Sequence, residues 1–170
     1  MKMEQELWDL YTKDRQLTGE THVRGEALPK DRFHLVVHVW IRNSNGDYLI
    51  AQRSETRPTF PLQWECVGGS VLQGETGLEG ALREVKEEVG LTLAPDDGTL
   101  LFSEVRDVVN GKPFRDIMDV WLFRYDGEIT LDLATTDEVA QAKWMTREQI
   151  RALFEQGKLV GTLEYFFTKL

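Results

Sequence analysis

Residues Gly69 to Leu91, GSVLQGETGLEGALREVKEEVGL, constrain this chain more than any other stretch. Leu78, Ala81, Leu82, Val85 and Val89 recur at helical spacing and form one apolar stripe, so Thr76 to Val89 is expected to be a helix. Gly90 is placed to stop it. The same stretch carries glutamates at 75, 79, 84, 87 and 88. Glu84 precedes Glu87 by three residues and Glu88 by four, so the three share one helical face. Arg83, four residues before Glu87, can pair with a carboxylate and help hold the start of the helix.

Crowding three carboxylates raises their pKa values unless a cation neutralises them. A hard divalent ion does this well: Mg²⁺ takes oxygen ligands, keeps several waters and bridges carboxylates to phosphates. Such an ion polarises a phosphoryl oxygen and lowers the pKa of a bound water. A remaining carboxylate can orient or deprotonate that water. Glycines at 68 and 69 let the backbone come close, with a carbonyl oxygen as a further ligand. Charge spacing alone does not decide the matter, because a glutamate-rich helical face is usually a solvated surface.

The stretch resembles the Nudix box: Gly, five residues, Glu, seven residues, Arg-Glu, an aliphatic, any residue, Glu-Glu, any residue, Gly, an aliphatic. The chain supplies Gly69, Glu75, Arg83, Glu84, Val85, Glu87, Glu88, Gly90 and Leu91 without a departure. Seven fixed positions at about 7% usage each match by chance roughly once in a hundred million windows. The resemblance implies Glu84, Glu87 and Glu88 as metal ligands, with the carbonyl of Gly69. Glu84 and Glu87 are the catalytic candidates; which carboxylate is the base stays open, since the family's base varies and sometimes lies outside the box. Glu75 and Arg83 would position the loop and helix. The implied cofactor is Mg²⁺, with Mn²⁺ as the alternative.

The rest of the chain reads as strands around two helices. Residues 1–32 are polar, with an apolar cluster at Leu7, Trp8, Leu10 and Tyr11. They are expected to form an N-terminal extension, a short strand or edge hairpin that covers a sheet edge or serves a homodimer. Phe33 to Ile41 and Tyr48 to Arg53 read as two strands of a hairpin across Asn45-Gly46. Trp64 to Val67, Leu100 to Val109, Ile117 to Tyr125 and Glu138 to Met145 read as further strands, with a turn at Asn110-Gly111. Thr146 caps a helix over 147–155 ended by Gly157, and 163–170 reads as a last short helix. The order implies an α+β fold: a Nudix-type α/β/α sandwich with a mixed β-sheet over 33–170.

A net charge of −9 argues against a partner that is a nucleic-acid polymer, but not against a small phosphorylated substrate reached through a cation. No run is long and apolar enough to suggest a membrane span, no leader is visible, and the single Cys66 leaves no internal disulfide. The expected setting is cytoplasmic.

Among other residues, Arg53 ends a strand near the expected substrate entrance and can hold a phosphate. Trp64 and Trp40 can stack on a base, although aromatics at strand spacing are usually core. Asp116 and Asp119 could supply an outer carboxylate near the metal. Cys66, His34 and His38 read as core or sheet-face residues, and His22 as a loop residue without signal.

The flanks FHLVVHVWI, YLIAQRS and WECVGG are similar to the Nudix branch related to isopentenyl-diphosphate isomerase. That isomerase pattern needs a cysteine where this chain has Gly68, a histidine where it has Ser70, and a metal histidine where it has Ala27; only His34 is kept. Cys66 lies two residues off, on the same strand face. The resemblance thus implies a pyrophosphohydrolase acting on a nucleoside diphosphate linked to another moiety or a related organic pyrophosphate. An isomerase is the alternative. A non-catalytic nucleotide-sensing module is a further one, disfavoured by the intact glutamates.

Overall fold

The computed structural model describes residues 5–109 and 111–170. Residues 1–4 and Asn110, the first residue of the expected 110–111 turn, lie outside them. The strand His34–Arg42 (β3) sits at the centre. Its apolar residues alternate between two cores. Leu35, Val37, Val39 and Ile41 face one, and Val36 and Trp40 the other. A strand buried on both faces needs partners on both edges. Lys112–Arg124 (β8) runs parallel to β3 from His34↔Asp116 to Arg42↔Arg124, and Val67–Ser70 (β6) runs antiparallel from Val36↔Ser70 to Val39↔Val67. Gly98–Val109 (β7) adds to β8.

Tyr48–Arg53 (β4) is not the hairpin mate of β3 that the sequence suggested. The two strands share one pair, Arg42↔Tyr48, and then part. Almost every residue of β4 is buried, so it too needs two neighbours. It finds them in Val139–Met145 (β9) and Trp64–Glu65 (β5). The turn between β3 and β4 is real, with Gly46 at φ 84° and its N–H donated to the Asn43 carbonyl.

The helix Gly77–Val89 (α1) covers the first core with Ala81, Val85 and Val89 fully buried. Thr76 and Glu79 form a reciprocal capping box. Gly90 closes the helix in the left-handed region at φ 73°, where a Cβ would lie 2.7 Å from the Ala134 nitrogen. Thr76→Ala should cost about 1 kcal/mol and lower the melting temperature by roughly 2–4 °C. Thr76→Ser should recover the loss in the same thermal scan.

Arg147–Glu155 (α2), capped by Thr146, and the C-terminal segment cover the second core. The expected last helix over 163–170 is a tight 3-10 turn at Gly161–Leu163 followed by only Phe166–Lys169 (α3). Phe166 is fully buried and stacks on Trp40 at 4.8 Å. Packing, more than local propensity, therefore sets this segment. Helices on both faces of a mixed sheet make the α+β sandwich.

The N-terminal residues form a two-stranded sheet of their own, Leu7–Tyr11 (β1) and Leu17–Val23 (β2). It is tied down where α1 begins: Gln73 N–H donates to the Leu7 carbonyl, Gly74 N–H to Asp9 Oδ2 at 2.8 Å, and Arg15 forms a bidentate pair with Asp119 at 2.6 and 2.7 Å. His22, which the sequence leaves in a polar loop, is 5% exposed on β2 and bonded through Nε2 to the Glu26 carbonyl. Among the described residues, no helix is long and apolar enough to cross a membrane.

Candidate active site

α1 and the edge strand β6 meet at the glutamates. A Cβ on Gly69 would lie 2.4 Å from Glu84 Oε1, so only glycine lets that carboxylate settle on the backbone. Arg83 ties the surroundings together. Its Nε and Nη2 bond the two oxygens of Glu75 at 2.8 and 3.0 Å, and Nη2 also bonds the Ser70 carbonyl at 3.0 Å. Its Nη1 reaches Glu84 Oε1 and Glu87 Oε2, each at 3.1 Å. Glu75 Oε1 in turn accepts from Leu72 N–H at 2.8 Å, locking the loop before the helix.

Electrostatic strain collects on the inner glutamates. Burial, reinforced by Glu87 and Glu138 against the pull of Arg83, pushes Glu84 up to about 7. Glu88, 4% exposed, is pushed well above the ordinary carboxylate range by burial first, then by Glu84, Glu65 and Glu138, and it is hydrogen-bonded to Glu138. Glu65 is raised by burial against its partner Arg53. Among the described residues no three acidic, cysteine or histidine side chains stand already converged as a ligand set. Arg83 holds Glu84 and Glu87. The donors nevertheless fit a hard divalent cation. They are oxygen ligands only, several are buried beyond what the nearby arginines neutralise, and Gly69 leaves its backbone open to close approach.

These groups form one wall of a cavity of about 290 Å³. Its lining carries six glutamates against four arginines, so a bound polyphosphate would need added positive charge. Arg53 lines the cavity, but its guanidinium is already engaged by Glu65 at 2.7 and 3.0 Å and by both Thr59 oxygens. It shapes the 54–63 loop. Trp64 does not reach the cavity: alternation along β5 turns Glu65 toward it and Trp64 into the second core. Asp116 and Asp119 do not line it either. Asp116 is held by Arg106 at 2.8 Å through both oxygens, and Asp119 by Arg15 and by Ser103 Oγ at 2.6 Å. Cys66 lines the cavity as a buried thiol whose pKa burial raises.

Glu65 and Glu138, which act on the Glu88 carboxyl, are acidic lining residues that sequence reasoning missed, as is Glu6. Glu138 arrives only because β9 pairs with β4 at Arg53↔Val139, and Arg57 then fixes it at 2.5 Å. No local pattern announces that pairing.

The mixed-sheet sandwich thus presents buried glutamates beside a glycine-bearing edge strand. The NUDIX domain model matches residues 32–164. An uncharacterized Nudix hydrolase of Listeria innocua is 37% identical over 163 residues, spanning 95% of this chain and 90% of that protein. A Deinococcus radiodurans protein of known crystal structure superposes with a TM-score of 0.69 at 27% identity, covering 91% of this chain and 92% of its own. A MutT protein from Methanosarcina mazei superposes at 0.63 and 27%, covering 80% and 91%. The chain belongs to the Nudix hydrolase family.

Proposed function

We propose that this enzyme cleaves the phosphoanhydride bond of a nucleoside diphosphate linked to another moiety, or of a related organic pyrophosphate, with a divalent cation. One observation carries the reading: Glu65, Glu84, Glu87, Glu88 and Glu138 line one cavity that arginines also line. Glu84, Glu87 and Glu88, with the Gly69 carbonyl, would hold Mg²⁺ or Mn²⁺. When bound, the cation supplies a polarised phosphoryl oxygen and a more acidic water. Glu84 or Glu87 takes the proton of the attacking water, and Glu75 and Arg83 keep the helix start aligned while that happens. Arg57 and Arg53 line the same cavity and would face the anionic substrate. Two structural neighbours support a small phosphorylated substrate. One is a bifunctional Francisella tularensis protein with ADP-ribose pyrophosphatase activity, solved with AMP and a manganese ion, and the other a Shewanella oneidensis Nudix domain complexed with ADP-ribose. We read residues 5–32 as an extension that braces the start of α1.

A phosphate-release screen tests this across nucleotide sugars, dinucleoside polyphosphates, oxidised nucleotides, coenzyme A, NADH and isoprenoid diphosphates. Turnover of at least one anhydride is expected, dependent on Mg²⁺ or Mn²⁺ and abolished by chelation. An isomerised isoprenoid product without phosphate release would overturn the hydrolase reading. The raised pKa of Cys66 and the missing side chain at Gly68 argue against that outcome.

A further inference from the structure

The cavity is also lined by His38, which faces Gly68 across the β3–β6 ladder. Three polar groups there form a chain. Trp40 Nε1–H donates to the Tyr165 oxygen at 2.9 Å, and that oxygen lies 2.8 Å from His38 Nδ1. An indole N–H can only donate, so the Tyr165 oxygen is an acceptor on that side. Tyr165 keeps its own proton, since burial pushes its pKa up. Only if that proton goes to His38 Nδ1 are all three groups satisfied; the opposite tautomer would leave the phenol proton stranded. Nδ1 is then the acceptor and Nε2 carries the hydrogen. Among the described residues Nε2 has no hydrogen-bond partner, and the residue lines the cavity. The ring stays neutral at physiological pH, because burial lowers its pKa to about 3.

The neighbouring cations are already matched. Arg106 is bidentate to Asp116, with its plane 4.8 Å over the Phe114 ring, and Arg24 pairs with Glu6 at 2.7 Å. This end of the cavity offers a fixed neutral donor and an aromatic surface, with no free positive charge for a second phosphate.

Resting on the hydrolase reading above, we propose that His38 is a specificity residue. Its Nε2–H, held in place by Tyr165 and Trp40, bonds an uncharged oxygen acceptor, a ring carbonyl or a sugar hydroxyl, of the group attached to the pyrophosphate.

Calorimetry with Ca²⁺ as the cation tests this, using UDP, ADP, their 2′-deoxy forms and inorganic pyrophosphate. The wild type should bind at least one nucleotide more tightly than pyrophosphate. His38→Phe should weaken that nucleotide about threefold to tenfold, the worth of one hydrogen bond, and leave pyrophosphate unchanged. His38→Gln, which keeps an N–H donor, should recover part of the loss. Tyr165→Phe, which frees the tautomer without touching the donor atom, should show an intermediate loss, and it stands in if His38→Phe does not fold. A loss seen with UDP but not ADP assigns the ring carbonyl; one seen with both and absent from the 2′-deoxy forms assigns the sugar hydroxyl. Equal weakening of nucleotide and pyrophosphate would make His38 merely structural and sink the proposal, as would no nucleotide binding better than pyrophosphate. No pyrophosphate binding to the wild type would instead defeat the hydrolase reading on which it rests.

Discussion

Glu87→Gln should lower kcat about a thousandfold while the melting temperature stays within roughly 4 °C of the wild type. The two halves of this expectation come from different observations. Glu87 is the least buried of the three box glutamates on α1, with 37% of its side chain exposed. Among the described residues its one side-chain partner is Arg83, at 3.1 Å. A surface pair at this helical spacing contributes about 0.3–0.5 kcal/mol, and Arg83 keeps its bonds to Glu75, Glu84 and the Ser70 carbonyl without it. Glutamine also leaves an oxygen for Arg83, and the Glu87 carbonyl that accepts from the Thr135 and Thr136 amides is backbone. Stability should thus hardly move. Activity should, because an amide oxygen cannot replace the negative charge of a ligand to a hard cation or accept a proton from water. Loss of about 4 kcal/mol of transition-state stabilisation corresponds to the thousandfold fall. A merely supporting role beyond the ligands would cost about tenfold to a hundredfold. Steady-state kinetics at saturating Mg²⁺, with a thermal scan on the same sample, separates these cases. A kcat within tenfold of the wild type would remove Glu87 from the metal site.

What could be read from the residues, and what could not, divides along sequence separation. α1 was readable because its signals are local: the Thr76–Glu79 box, the Ala81–Val85–Val89 stripe and the stop at Gly90 all act within a few residues. The proposed metal face shares that locality. The partners of that face do not. Glu138 and Glu65 join through the pairing of β4 with β9 and β5, and Arg106 and Phe114 through the registration of β7 and β8 against β3. The divergence of β3 and β4 shows the same limit. A good turn at Gly46 predicts a hairpin, but two strands each buried on both faces compete for outer neighbours and win them elsewhere. Trp64 was ambiguous for a related reason. Which face of a two-residue strand looks inward is settled by its neighbours, and those lie at Ala51 and Gln52 and at Lys158 to Val160.

The pH dependence of stability without metal should carry the signature of the buried glutamates, and Mg²⁺ should reverse it. In the native state burial raises both Glu84, to about 7, and Glu88, well above the ordinary carboxylate range. The native state then binds protons more tightly than the unfolded chain. Their contribution is complete below about pH 4.5 and is lost as pH rises through the native pKa values. The buried histidines oppose this at lower pH. His34 is lowered to about 4 and His38 to about 3 by burial, so their contribution is present above the unfolded value of 6.5 and is lost as pH falls from there. Between pH 4.5 and 6.5 the two effects work against each other. Above 6.5 the histidine contribution approaches completion and the loss from the glutamates dominates. The melting temperature in chelator should therefore fall between pH 6.5 and 8.5, by about 5 °C for a loss of about 2 kcal/mol. Glu88→Gln removes the buried charge and should flatten that slope while stabilising the metal-free protein at pH 8.5. With Mg²⁺ the sign changes, because an ion binds only the deprotonated carboxylates and its stabilisation grows as they ionise. Thermal scans across this range, in chelator and in millimolar Mg²⁺, give both curves. Identical slopes in the two conditions would mean that residues 84 and 88 do not ionise onto a cation, and the metal site would have to be sought elsewhere in the cavity.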